Sequence, residues 1–213
     1  EISTGSLSKV WVGTSNGVVA FDPTTHKTSK LSVTTLPVTS ISLLREYAVV
    51  TTDEAVFQYD GKAWHHTLIG GVIDGPPTAS AILADRSDPI KGVPRAVVGD
   101  QYCLHLLSFN GLVERVSSMQ GLPYGNITSL HAVSSGELLW IGTTWGVISL
   151  DVASVSWRYF AGPRWLPDDG VNFVSSSGAA TGPVIVATHH GLSVMWSDNI
   201  TLEDKAVVYQ AMT

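Results

Sequence analysis

Leu139-Trp140-Ile141-Gly142-Thr143-Thr144-Trp145-Gly146-Val147-Ile148-Ser149-Leu150-Asp151 is two apolar strands joined by a tight polar turn. Gly146 supplies the positive φ that a two-residue hairpin turn needs. The β-branched and aromatic residues on either side suit strands buried on both faces. The pattern recurs four more times. Val10-Trp11-Val12-Gly13-Thr14 is followed by Ser15-Asn16-Gly17 and then by Val18 to Asp22. Ala48-Val49-Val50-Thr51-Thr52 leads to Val56-Phe57-Gln58-Tyr59-Asp60, and Ile185-Val186-Ala187-Thr188-His189 to His190-Gly191 and Leu192 to Met195. Ala96-Val97-Val98-Gly99-Asp100, continuing through Leu104, Leu106 and Leu107, is a degenerate copy without the turn glycine.

The copies start at 10, 48, 96, 139 and 185, giving hairpin cores near 10–22, 48–60, 96–108, 139–151 and 185–196. A period of about 40–50 residues with several short strands per unit is that of a propeller blade. One such unit cannot bury both of its faces, so neighbouring blades must stack. The fold expected is all-β: a β-propeller with five four-stranded blades over residues 1–198. In the clearest unit the strands are expected at 126–133, 138–143, 147–152 and 156–160. Trp11 and Trp140 hold equivalent repeat positions and are expected to pack between blades.

Composition agrees and narrows the function. Of 213 residues 44% are hydrophobic and only 14% charged, with 20 Gly and 10 Pro. A net charge of −6 leaves no basic stripe to release counterions, so nucleic acid is not an expected partner. No apolar run approaches the roughly 18 residues of a membrane helix. Cys103 is the only cysteine, which leaves no internal disulfide, and its apolar neighbours suit a buried, inert thiol. The chain opens on Glu1, and Asn126-Ile127-Thr128 and Asn199-Ile200-Thr201 are glycosylation sequons. Together these predict a secreted, extracellular or lumenal glycoprotein from which a leader has been removed.

The stretch Gly121-Leu122-Pro123-Tyr124-Gly125-Asn126-Ile127, with Gly136-Glu137-Leu138-Leu139-Trp140-Ile141-Gly142-Thr143 and Gly146-Val147, resembles the two-component regulator propeller repeat. The likeness is close in the fourth unit, good in the first, partial in the second and fifth and poor in the third. It covers roughly residues 7–198. Members of that family often form extracellular sensor regions and usually build seven-bladed rings, so the resemblance implies that five blades are part of a larger ring. A closed ring of five is the alternative. Residues 199–213 break the repeat: Thr201 suits a helix cap, and Leu202, Lys205, Ala206 and Tyr209 follow helical spacing. This predicts a short C-terminal helix leading to a further domain or second polypeptide.

No phosphate loop, zinc-protease helix, nucleophile elbow or cysteine pair is present, so neither cofactor nor metal is expected. In a four-stranded blade the turn between strands two and three and the link to the next blade emerge on one face, where ligands bind over the channel. The link from Ala161 to Gly170 places Arg164, Trp165, Asp168 and Asp169 there, beside His189 and His190 of the next hairpin and Trp145 of the preceding one. An indole face, a guanidinium and a histidine pair suit a sugar or an anionic glycan. Against this, Trp165 can plug the space between blades and Arg164 can brace its own loop through Asp168 or Asp169. The leading expectation is a non-catalytic binding scaffold for a glycan or protein partner. The rivals are the propeller part of a polysaccharide lyase or hydrolase and a purely protein-binding platform, the last predicting an exposed apolar patch.

Overall fold

The structure, a computed structural model, describes residues 2–4, 9–70, 73, 75–84, 94–109, 113–122, 125–133, 138–152, 154–177 and 182–196. Nineteen strands form five antiparallel sheets in sequence order. The first is β1 (Ile2–Thr4), β2 (Val10–Thr14), β3 (Gly17–Asp22) and β4 (Lys27–Leu31); the second is β5 (Val38–Leu44), β6 (Tyr47–Thr52), β7 (Ala55–Tyr59) and β8 (Trp64–Leu68). The third is β9 (Ala79–Leu83), β10 (Arg95–Gly99), β11 (Leu104–Ser108) and β12 (Val113–Val116). The fourth is β13 (Ile127–Ala132), β14 (Leu138–Thr143), β15 (Gly146–Asp151) and β16 (Ser156–Phe160). The fifth has three described strands, β17 (Val171–Ser176), β18 (Pro183–Thr188) and β19 (Gly191–Trp196). All five hairpins read from the sequence are therefore present. The predicted C-terminal helix at 199–213 and the Asn199 sequon lie outside the described residues.

The repeat residues have assignable work. Thr14, Thr52, Thr143 and Thr188 each donate a hydroxyl hydrogen bond across the turn, to the carbonyls of Gly17, Ala55, Gly146 and Gly191, at 2.8, 3.2, 2.9 and 3.0 Å. Gly17, Gly146 and Gly191 then take φ of 93°, 120° and 148°, which a side chain would resist. In the second and third copies Ala55 and Cys103 stand where that glycine does, and in the third Asp100 takes the threonine's place, its Oδ1 accepting from the amides of Tyr102 and Cys103 at 2.8 and 2.7 Å. The Asp that closes the hairpin organises the following turn. Asp22 accepts from the amides of Thr24 and Thr25, and Asp60 from those of Lys62 and Ala63.

Blades stack side by side, their innermost strands neighbouring in the order β1, β5, β9, β13, β17. The core divides accordingly into four clusters, one per junction. Trp11 packs with Val18, Ile41 and Val50 at the first, and Trp140 with Phe160, Val171 and Val186 at the last, as inter-blade residues should. A Cβ on Gly142 would lie 2.4 Å from Ser129 Oγ of its own inner strand and 2.8 Å from Val171 of the next blade; Gly13 and Gly99 stand the same way to Val38 and Ile127 of the blades that follow them, also at 2.8 Å. Glycine in the Trp-Ile-Gly-Thr motif is thus the notch that receives the next inner strand. Inner strands also bond laterally. Ser40 Oγ accepts from the Ser80 amide at 3.0 Å, and Ser42 Oγ donates to the Ser80 carbonyl at 2.8 Å. Among the described residues no comparable packing joins β17 to β1, and no closed ring is formed.

Candidate functional site

The link 161–170 runs from the outer strand β16 to the inner strand β17, and the turn 189–190 joins β18 to β19. Alternation of strand direction brings both to one face, and the hydrogen bonds show them in contact. The His189 amide donates to the Gly170 carbonyl at 3.2 Å, and Ser193 Oγ donates to the Trp165 carbonyl at 2.6 Å. The link is held in shape by its own polar groups. Trp165 and Leu166 amides both return to the Gly162 carbonyl, at 2.9 and 3.0 Å, while the Gly162 amide donates to Asp169 Oδ1 at 2.5 Å.

Asp168 joins link and turn. Its Oδ1 accepts from the Gly170 amide at 2.6 Å, and its Oδ2 accepts from the Nδ1–H of His190. The Gly170 amide, then the His190 hydrogen bond, hold the Asp168 carboxyl below the usual carboxylate range. His189 stands over Gly170, where a Cβ would strike its ring. The His190 side chain remains 76% exposed, so one edge of its ring faces solvent.

The other candidates separate into packed and open groups. Trp165 turns inward, edge-on to Phe160 with ring centroids 5.2 Å apart, and joins the cluster between the fourth and fifth blades. The Arg164 guanidinium lies 5.0 Å over the Trp165 ring. Trp145, at 74% exposure, stands at the tip of the fourth blade's turn, beside Gly125. Its turn is tied to the link entering its own blade, since the Thr144 amide donates to the Asn126 carbonyl at 3.0 Å. The structure therefore gathers Asp168, Asp169, His189 and His190 around one loop end, with Arg164 on Trp165 at its middle and Trp145 on the adjacent turn.

Two features were not singled out from the sequence. The first is a repeated brace, an Asp with a His five residues later. Asp100 Oδ2 and His105 Nε2 lie 2.9 Å apart in the interior, and Asp60 Oδ2 and His65 Nε2 lie 3.0 Å apart at the surface. The spacing Asp-x4-His after a strand end is the signal that could have found both. The second lies on the inner strand β13. Ser129 Oγ and His131 Nε2 are buried without a hydrogen-bond partner among the described residues, and burial lowers the His131 pKa. By register, Ser129 and His131 match Ser40 and Ser42, while Val174 stands in the next blade where Ser80 would bond them. Among the described residues no group of three or more His, Cys, Asp or Glu could hold a metal ion, and no helix is long and apolar enough to cross a membrane.

Comparison with known proteins shows the fold. No protein-family model and no curated protein matches the chain. Solved structures do. The β-propeller domain of Cps50 (Swd1) from Myceliophteria thermophila superposes with a TM-score of 0.68 at 15% identity, over 91% of this chain and 64% of that one. The extracellular domain of the putative one component system BT4673 from B. thetaiotaomicron gives 0.65 at 14% identity, over 91% of this chain and 27% of that one. PorZ, a bacterial surface component of the type-IX secretion system of Porphyromonas gingivalis, gives 0.60 at 10% identity, over 89% and 23%. The chain thus spans about a quarter of the two bacterial structures and under two thirds of the fungal one. The repeat resemblance read from the hairpins holds at the level of fold: the chain is a β-propeller module.

Proposed function

We propose that this propeller is a secreted binding module of a larger protein, and that the rim formed by the 161–170 link and the 189–190 and 144–145 turns binds an acidic glycan. One observation carries the reading: Asp168 and Asp169 are both engaged in fixing the link, so the groups left facing outward sit on a rigid frame. Trp145 and His190 are the most open of these. The indole offers a sugar-stacking face and the His190 ring a hydrogen-bonding edge to a carboxylate or sulfate. Pre-organisation of this kind lowers the entropic cost of binding. Calorimetric titration with a uronic-acid oligosaccharide and its neutral counterpart tests the proposal. Preference for the acidic sugar is expected, and Trp145→Ala and His190→Ala should each weaken binding about two- to thirtyfold, the range of one aromatic or charge-assisted contact. Equal binding of both sugars by both variants and wild type sinks it.

The His190–Asp168 hydrogen bond also suits a second reading, the propeller part of a polysaccharide lyase or hydrolase, with Asp168 orienting the imidazole as a general base. Under that reading, His190→Ala abolishes release of unsaturated or reducing ends from the polymer. The inward turn of Trp165 and the use of Asp169 as a loop brace weigh toward binding alone.

A further inference from the structure

The turns of the fourth and fifth blades are built alike up to one residue. In each, the amide of the first turn residue donates to the link entering the same blade, Thr144 to the Asn126 carbonyl at 3.0 Å and His189 to the Gly170 carbonyl at 3.2 Å. The second turn residue is Trp145 in one and His190 in the other, each just before the glycine that closes the turn. The indole carries no charge at any pH. The imidazole does, and it is tied to the link, Nδ1 to Asp168 Oδ2. Asp168 is itself fixed, because its Oδ1 accepts from the Gly170 amide at 2.6 Å. That amide, then the His190 bond, keep the carboxyl ionised at neutral pH. An ionised carboxylate only accepts, so Nδ1 carries the ring proton and Nε2 is left on the open edge. In the neutral ring Nε2 is a lone pair, which accepts from a hydroxyl and repels a carboxylate or sulfate. In the imidazolium it is a charged N–H, which donates to either anion.

We propose that His190, its tautomer fixed by Asp168, makes the rim select sugars by charge according to pH: neutral, hydroxyl-bearing sugars when the ring is neutral, uronic or sulfated sugars when it is protonated. The proposal rests on the rim reading above and names the residue that sets its specificity. Asp168 is a positioning residue, acting on the ligand through the ring. The charges around the ring act in the same sense. The link brings two carboxylates, Asp168 and Asp169, against one guanidinium, Arg164, which lies over Trp165. From its own turn comes His189, whose ring stands over Gly170. Strands β17, β18 and β19 and the 144–145 turn carry no titratable residue. With both histidines neutral the loop end is net negative and resists an acidic sugar; with both protonated it is net positive. Imidazole is the side chain that ordinarily changes charge between about pH 5 and 8, a range in which sugar carboxylates and sulfates stay ionised.

Titration calorimetry of the chain with a uronic-acid oligosaccharide and with its neutral counterpart, from about pH 8 to about pH 5 at constant ionic strength, tests the proposal. The acidic sugar is expected to bind about two- to tenfold more tightly at the lower pH, the range of an exposed ion pair or charge-assisted hydrogen bond, and to take up a proton as it binds. The neutral sugar should not tighten. His190→Gln leaves the packed structure alone, since the side chain is 76% exposed, and should remove most of the pH dependence. Asp168→Asn sharpens the test. The amide oxygen stays on the Gly170 N–H, so the amide nitrogen donates to His190 Nδ1 and drives the neutral ring's proton to Nε2. Heteronuclear NMR of the imidazole nitrogens should then find the proton on Nδ1 in the wild type and on Nε2 in the variant, which should also bind the acidic sugar better than wild type at the higher pH. Acidic-sugar affinity that is flat in pH overturns the proposal and leaves the rim reading in place, as does a neutral wild-type ring protonated at Nε2. A pH dependence that survives His190→Gln assigns it to His189 and overturns the proposal too. Failure of either sugar to bind at any pH overturns the rim reading and the proposal together.

Discussion

Trp140 and Ile185 hold the same place in consecutive blades, three residues into the second strand and paired across to the third. Trp140 is 1% exposed between Phe160 and the fifth blade; Ile185 is 47% exposed. Nothing in the strand, the turn or the pairing distinguishes the two, so burial in this fold is conferred by the neighbour. A blade is a complete unit of hydrogen bonding and half a unit of core. Substitution at the pair breaks or sharpens that statement most directly. Trp140→Ala should cost about 3–5 kcal/mol of stability in urea unfolding, the range for a truncated buried aromatic. Ile185→Ala, with no cavity to leave, should stay within about 0.5 kcal/mol in the 213-residue chain. Equal losses at the two positions would mean that the fifth face is covered after all.

A smaller effect comes from the notch. A Cβ on Gly142 would meet Val171 of the following blade as well as Ser129 of its own inner strand, and Ala187 occupies the same register where no following blade is described. Gly142→Val should therefore cost about 1–3 kcal/mol through overpacking. Ala187→Val, a change of similar bulk, should be nearly silent by the same unfolding measurement. A penalty at Ala187 matching that at Gly142 would locate the strain within the blade's own inner strand and remove the junction from the argument.

These contrasts also explain what could be read in advance. Five hairpins were legible because the paired apolar strands recur around a short polar turn in which Thr, Gly or Asp performs the turn chemistry in most copies. Even the degenerate third copy was found, since its strands keep their pattern while Asp100, in the threonine position, binds the turn amides with its side chain. The bare fifth face was not legible. Ile185 and Leu192 are as apolar as the residues they match, and strand periodicity cannot say whether a neighbour is present. For the rim, the sequence brought the 161–170 link and the 189–190 turn to one face. It did not show that Asp169 would close the loop on Gly162 or that Trp165 would turn inward, because both depend on the path of a loop that has no period.

The same dependence on surroundings acts on the Asp-x4-His braces and gives the smallest effect. Asp100 and His105 have side chains 4% and 0% exposed, whereas Asp60 and His65 are 29% and 49% exposed, with matching hydrogen bonds. Burial pushes the Asp100 pKa up, but the His105 ring N–H and the Tyr102 and Cys103 amides outweigh it, and the net shift is down. A carboxyl with a depressed folded pKa stabilises the fold above its unfolded pKa of about 3.9 and loses that contribution as pH falls through the folded value. Asp100→Asn should cost about 0.5–1.5 kcal/mol at neutral pH. Asn must donate to His105 Nε2, which moves the ring proton to Nδ1, an atom with no acceptor among the described residues. The gap between variant and wild type should narrow as pH falls from about 4, where the unfolded chain's carboxyl protonates, towards the lower folded pKa. Asp60 is held low by the Ala63 amide, then by His65, but in water; Asp60→Asn should give a difference that shrinks in high salt. Insensitivity of the buried pair to salt, together with a response at the exposed pair, is the outcome that makes burial by neighbouring structure the controlling variable. A salt response at Asp100 equal to that at Asp60 would show that water reaches both, and the contrast would then be one of sequence position alone.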